Sequence, residues 1–195
     1  NELANSYNKQ EGNSVNVNFT LKGKFTDYLK ASLIASYQTS ATDQEKWWGE
    51  KTNRVAILRH SEYGTTPASG EGSSSELPFG GELTSNRYRN KNWMLRMQVD
   101  FNKYVNGNPD HYINASVGTE ANSTKYNAMG SVYRGYYEDR GRQFSYTELD
   151  DYPYYKNWLQ QNAYPTITDD LTNLLSGYAT ISYPYKNLFT LNTNA

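Results

Sequence analysis

Nucleophiles, metal ligands and acid–base pairs are sparse in this sequence, and those present are poorly spaced for chemistry. There is no cysteine, which removes thiolate nucleophiles, thiolate metal sites and disulfides together. The two histidines, His60 and His111, lack the His-x-x-x-His spacing that sets two imidazoles on one helix face around a metal. His111 lies at a turn–strand junction, where a solvated or interfacial role is expected. Asp150-Asp151 and Asp169-Asp170 are adjacent carboxylates of the kind that cap turns or face water. Each pair supplies only part of the oxygen shell a calcium ion requires. Gly70-Glu71-Gly72 has no strand–turn–helix context for a phosphate loop, and Ser73-Ser74-Ser75 has no nucleophile elbow. A glycosidase needs two carboxyl groups flanking a cleft, for which Glu148 and Asp150 are the nearest candidates. No catalytic constellation emerges, so the sequence reads as a non-enzyme with no metal and no cofactor.

The residues best suited to recognition are aromatic. Trp47 and Trp48 form one cluster, and Tyr154, Tyr155 and Trp158, beside Tyr152 and Pro153, form a second. Aromatic faces offer rigid, amphipathic area at low entropic cost, so they can stack on sugar rings or anchor a protein partner. Packing of long loops onto each other is the competing role for the same five residues.

What positions these clusters is a rhythm of strands. Leu29, Ala31, Leu33, Ala35 and Tyr37 alternate with Lys30, Ser32, Ile34, Ser36 and Gln38, and Trp93, Leu95, Met97, Val99 and Phe101 alternate with Met94, Arg96, Gln98, Asp100 and Asn102. Period two sustained for about ten residues places one face in an apolar medium and the other in water or among polar groups, and it matches the length of a tilted strand that crosses a bilayer. Six strands are expected, at residues 14–22, 29–40, 92–103, 111–119, 174–183 and 188–195. Short turns join them in pairs at Gly23–Asp27, Asn106–Asp110 and Pro184–Asn187. Long connections at 41–91 and 120–173 separate the pairs. Capping-box patterns at Thr42–Glu45 and Ser145–Glu148 predict short helices over 45–48 and 149–159, and the Gly/Ser-rich stretch Thr65–Glu76 predicts a loop. Tyr28, Tyr104, Tyr112, Tyr183 and Tyr185 gather at the short-turn ends, with Trp93 and Tyr37 towards the opposite ends. Two interfacial aromatic girdles would fall at these positions.

The fold class expected is therefore all-β: antiparallel up-and-down strands forming a partial segment, about six strands, of a large transmembrane β-barrel with two long extracellular loops. Short turns face the periplasm and long loops face outward, in a bacterial outer membrane. A mean hydropathy of −0.89 does not argue against this, because a barrel strand gives lipid only alternate residues. Nineteen tyrosines and four tryptophans suit surfaces that are half wet and half apolar. A formal net charge of −1 implies no broad pull toward nucleic acid. The first and last residues read as those of a piece cut from something longer, with neither a start nor a signal peptide at one end and a strand in mid-course at the other.

Several segments carry a resemblance. Leu77-Pro78-Phe79-Gly80-Gly81-Glu82-Leu83, Trp93–Asn102, Gly135-Tyr136-Tyr137-Glu138-Asp139-Arg140, Gly177–Tyr183 and Tyr185–Asn192 resemble the barrel region of SusC/RagA-type TonB-dependent transporters of Bacteroidetes. That resemblance implies a barrel of on the order of 22 strands with a plugged lumen, of which residues 1–195 would be a middle part. It also implies uptake of oligosaccharides or peptides, energy relayed by TonB, and a SusD-like surface lipoprotein as partner. A soluble, secreted β-sandwich that binds carbohydrate is the rival, since there the same alternation would face an inner core between two sheets.

Overall fold

The computed structural model describes residues 2–60, 74–108, 110–146, 148–185 and 189–194. Gly70-Glu71-Gly72, Ser73, the Thr65–Glu76 stretch up to Ser73, Pro109, Thr147, the Lys186-Asn187 turn with Leu188, and the side chain of Tyr185 fall outside the described residues.

The strands are β1 (Ser6–Lys24), β2 (Leu29–Trp48), β3 (Gly81–Tyr104), β4 (Tyr112–Tyr137), β5 (Gln143–Phe144), β6 (Thr166–Tyr185) and β7 (Phe189–Asn194). Among the described residues, two α-helices, α1 (Asn53–Arg59) and α2 (Pro153–Gln161), lie in the long connections. All strands join one sheet in the order β1-β2-β3-β4-β6-β7, with β5 paired to the end of β4. This is the up-and-down meander expected, in a single layer. The chain divides into two compact units. One comprises Ser14–Ser40, Asn90–Tyr126 and Asp170–Ala195, and the other Asn1–Asn13, Ala41–Arg89 and Asn127–Asp169.

The first unit holds the short turns and the alternating strands. Phe25 N–H donates to the Leu29 carbonyl (3.0 Å) and Lys24 Nζ meets Asp27 Oδ1 at 2.5 Å, closing β1 onto β2. Asn106 (φ 52°) and Gly107 (φ 74°) supply the left-handed pair that turns β3 into β4. Odd-numbered side chains form the apolar face: Val15, Val17, Phe19 and Leu21 on β1, Met97 and Val99 on β3, Val117 on β4 and Ile181 on β6. All of these are exposed, between 40% and 57%. Even-numbered side chains form a hydrogen-bonded polar face, in which Arg96 is paired with Glu120, Ser116 with Thr180 (2.6 Å) and the Tyr178 hydroxyl with Gln98 (2.7 Å). Gly118 makes the last contact possible. A Cβ there would sit 2.5 Å from the Tyr178 ring, so only glycine lets Tyr178 of β6 lie across β4 and reach β3. No large apolar residue of this unit is among the buried core of the described residues. A second sheet against the apolar face, which the β-sandwich reading requires, does not exist among the described residues.

At the short-turn end, the rings of Tyr104 and Tyr112 lie 4.9 Å apart, Phe101 meets Tyr28 edge-on at 5.7 Å, and Lys103 Nζ sits 4.7 Å over the Tyr28 ring. Trp93 and Tyr37 do not end their strands; both lie in mid-strand. The strands run well past the limits expected, with β3 24 and β4 26 residues long, about twice what a bilayer crossing needs. The expected boundaries stopped where apolar alternation stops.

In the second unit the strands continue on different chemistry. Arg89 reaches both oxygens of Asp43 (3.1 and 3.3 Å), Gln44 bonds Asn8 (3.3 Å) and Arg142 bonds Glu45 (2.9 Å). Cross-strand charge and amide pairs hold the ladder here, and a hydrophobic period cannot register them. The helix expected over 45–48 is therefore absent: Thr42–Glu45 is strand, and Gln44 and Glu45 are committed to other strands and loops. The helix expected over 149–159 is found in two pieces: Leu149–Asp151 is a 3-10 turn, and α2 begins at Pro153, which occupies the first helical turn where its missing N–H is harmless. Helix α1 was not expected. Thr52 caps it, its Oγ1 accepting from Val55 N–H at 3.4 Å and donating to the Gly49 carbonyl at 2.7 Å.

The buried apolar side chains among the described residues, Val55, Leu77, Leu83, Tyr136, Tyr152 and Tyr155, all belong to this second unit. Two of the motifs behind the family resemblance meet here. Gly80 (φ 70°) packs so closely that a Cβ would lie 2.6 Å from the Gly135 carbonyl carbon, and Gly135 itself has φ 85°. Beyond Gly135 the alternation of β4 slips. Tyr133 and Tyr136, of opposite parity, both contact Phe144 (5.8 and 5.5 Å) and so share one face.

Candidate ligand- and partner-contact site

Successive strand residues point to opposite faces, which separates Trp47 from Trp48. Trp47 lies against Tyr7 (5.5 Å between ring centroids). Trp48 lies on the side of α1, with the Arg54 guanidinium carbon 5.9 Å from its ring centroid. On α2, Tyr155 is buried and runs parallel to Trp158 (6.4 Å, 7°), while Tyr154 is 54% exposed and faces away. The Arg134 guanidinium sits 4.1 Å over the Trp158 ring.

These contacts join through an acid that periodicity did not single out. Glu82, 1% exposed, accepts from Arg54 Nε on one oxygen (2.7 Å) and from Arg134 Nε on the other (3.1 Å). Arg134 also donates to the carbonyl and carboxylate of Glu76, both at 3.0 Å. The result is a continuous line: Trp48, Arg54, Glu82, Arg134, Trp158. Three of the five expected contact residues, Trp48, Tyr155 and Trp158, are brought to this line; Trp47 and Tyr154 are not.

A second nearly buried arginine anchors α1 to the same stretch. Arg59 donates to Glu50 (2.7 Å), to the Leu77 carbonyl (3.1 Å) and to the Gly80 carbonyl (2.7 Å). Residues 77–82 are thus fixed by guanidinium groups at both ends. A lone Glu in a Gly/Pro/apolar stretch was the signal available for Glu82, and Arg134 among the glycine and tyrosines of 133–137 was its counterpart.

Asp150, one of the adjacent carboxylates, is paired with Lys156 (2.7 Å), and that contact holds its pKa below the ordinary value. Burial pushes the Tyr155 hydroxyl above its ordinary 10.0, with Arg134 pulling the other way. Because the folded value is the higher one, the stabilisation from neutral Tyr155 is fully present below the unfolded pKa. It is lost as pH rises through the raised folded value. Undocking of α2, read as a red shift of Trp158 emission, is expected only above about pH 10, and a Tyr155→Phe variant should lack that alkaline step.

Solved structures similar to this chain include that of the RagAB peptide transporter and that of the RagAB peptide importer in its "closed-closed" state. Each superposes with a TM-score of 0.70 at 13% identity, covering 98% of this chain and 18% of the other. The importer in its "open-open" state gives a TM-score of 0.69 at 14% identity, with the same coverage. No protein-family profile matches the chain, and no curated protein matches it. The fold is that of a segment of the RagAB transporter structures.

Such a segment accounts for the two materials of the sheet: exposed apolar positions on one face in the first unit, and charge-paired strands with packed connections in the second. This chain spans 18% of the length of the chains it superposes on. The antiparallel up-and-down sheet expected of a partial barrel segment is the fold observed.

Proposed function

We propose that this chain is part of the wall of an outer-membrane, TonB-dependent transporter that imports oligosaccharides or peptides together with a SusD-like surface lipoprotein. It acts by binding and gating, without covalent chemistry. The observation that carries this reading is the apolar face of the first unit: Val15, Val17, Phe19, Leu21, Met97, Val99, Val117 and Ile181 are exposed on a one-layer sheet with no buried core beneath it among the described residues. Such a face is unfavourable in water by roughly 25 cal/mol per Å² and is at rest in hydrocarbon. The Tyr28–Phe101–Lys103 cluster at one end fits a membrane–water interface. The fold shared with the RagAB structures supports the same reading. The short turns then face the periplasm, and the long connections, with the Trp48–Trp158 line, face outward, where Trp47, Trp48, Tyr154 and Trp158 serve as ligand or partner contacts and the buried Tyr155 backs Trp158 from behind.

Fractionation tests this. The full-length protein is expected in the outer membrane, migrating as a heat-modifiable barrel, whereas residues 1–195 expressed alone should be insoluble or misassembled. A soluble monomer of residues 1–195 that melts cooperatively would sink the reading.

A further inference from the structure

A cleft of about 300 Å³ opens in the second unit between β3, β4, the start of β6 and the segment after α2. Asn86 and Tyr88 line it from β3, Asn162 and Tyr164 from the segment after α2, and Thr166 and Thr168 from β6. Its floor is kept open by Gly130 of β4, where a Cβ would lie 2.7 Å from Asn86 Oδ1, so the side-chain amide of Asn86 lies across the glycine. The Tyr164 ring is 89% exposed at the rim. None of the described residues lining the cleft carries a formal charge.

We propose that this cleft is a binding subsite for one ring of an uncharged, hydroxyl-rich ligand, a neutral oligosaccharide. The chemistry selects that class in two ways. Side-chain amides and hydroxyls both donate and accept, so they can match a hydroxyl whichever way its proton points. An exposed tyrosine gives a flat apolar face with a polar tip, complementary to the face of a sugar ring with its equatorial hydroxyls. A peptide with charged termini, or an acidic sugar, would be desolvated here without a counter-charge. Clefts of this size with a few convergent polar groups are the usual form of small-ligand sites. The inference rests on the transporter reading, which puts this even-numbered face of β3, β4 and β6 on the substrate's side of the wall.

The test uses the full-length protein in detergent on an array of neutral gluco-, xylo-, manno- and arabino-oligosaccharides, of oligogalacturonates, and of short peptides. Wild-type protein should be retained by at least one neutral class, and Tyr164→Ala and Asn86→Ala should each weaken that retention by roughly tenfold. The same preparations are scored for outer-membrane location and heat-modifiable migration. Retention only by peptides or oligogalacturonates, retention by no neutral class, or neutral retention that both variants leave unchanged overturns the subsite while the barrel assay stands. Failure of the wild-type protein to insert overturns the transporter reading itself.

Discussion

Replacing Glu82 with alanine is expected to loosen both long connections by about 3–5 kcal/mol while leaving the barrel inserted. The figure is what breaking a buried charge pair at one partner costs, and the geometry favours the full effect on one side. Arg134 has a side chain only 7% exposed and would be left facing Glu76 alone, whereas Arg54, 51% exposed, would turn to water. Glu82→Ala and Arg134→Ala should therefore be similar in size, and Arg54→Ala close to the 0–1 kcal/mol of an exposed pair. Limited proteolysis of the membrane-embedded protein measures this directly: rapid cleavage within 49–80 and 138–165 for the first two, near wild-type protection for Arg54→Ala. Equal protection of all three would mean that Glu82 does not hold the connections.

The second large effect belongs to the apolar face. Met97 lies between the aromatic cluster around Tyr28 and the ring of Trp93, so in the orientation proposed above Met97→Arg would place a guanidinium near the bilayer midplane. The cost there is about 2–4 kcal/mol. The same arginine one residue on, at Gln98, faces Tyr178 and the polar side and should cost far less, with loss of one hydrogen bond worth about 1 kcal/mol. Refolding yield into lipid vesicles separates the two. Equal losses at 97 and 98 would remove the distinction between the faces.

How much of the molecule is legible in its sequence depends on which force holds each element. Where an exposed apolar face imposes period two, as along Trp93–Phe101 or Leu29–Tyr37, the residue types alone reveal face, register and turns. Past Ser40 and before Asn92 the ladder is held by pairs such as Asp43–Arg89, which leave no hydrophobic period, so the strands were cut short and Thr42–Glu45 was read as a helix start. Helix α1 was missed because seven residues carry little periodicity and its position rests on Thr52 and Arg59. Of the two aromatic clusters, Tyr154, Tyr155 and Trp158 lie in a long connection, on α2, whereas Trp47 and Trp48 end strand β2. Their organiser, Glu82, was not found, because its role depends on Arg54 and Arg134, which lie 28 and 52 residues away in sequence.

The central claim is that the odd-numbered face of the first unit meets lipid. Because residues 1–195 contain no cysteine, single cysteines introduced in turn from Arg96 to Asn102 of the full-length protein, labelled with a fluorophore and challenged with brominated lipids, read that face directly. Quenching at 97, 99 and 101 with little at 96, 98, 100 and 102 is the predicted result; quenching at no position, or equally at odd and even positions, would contradict it.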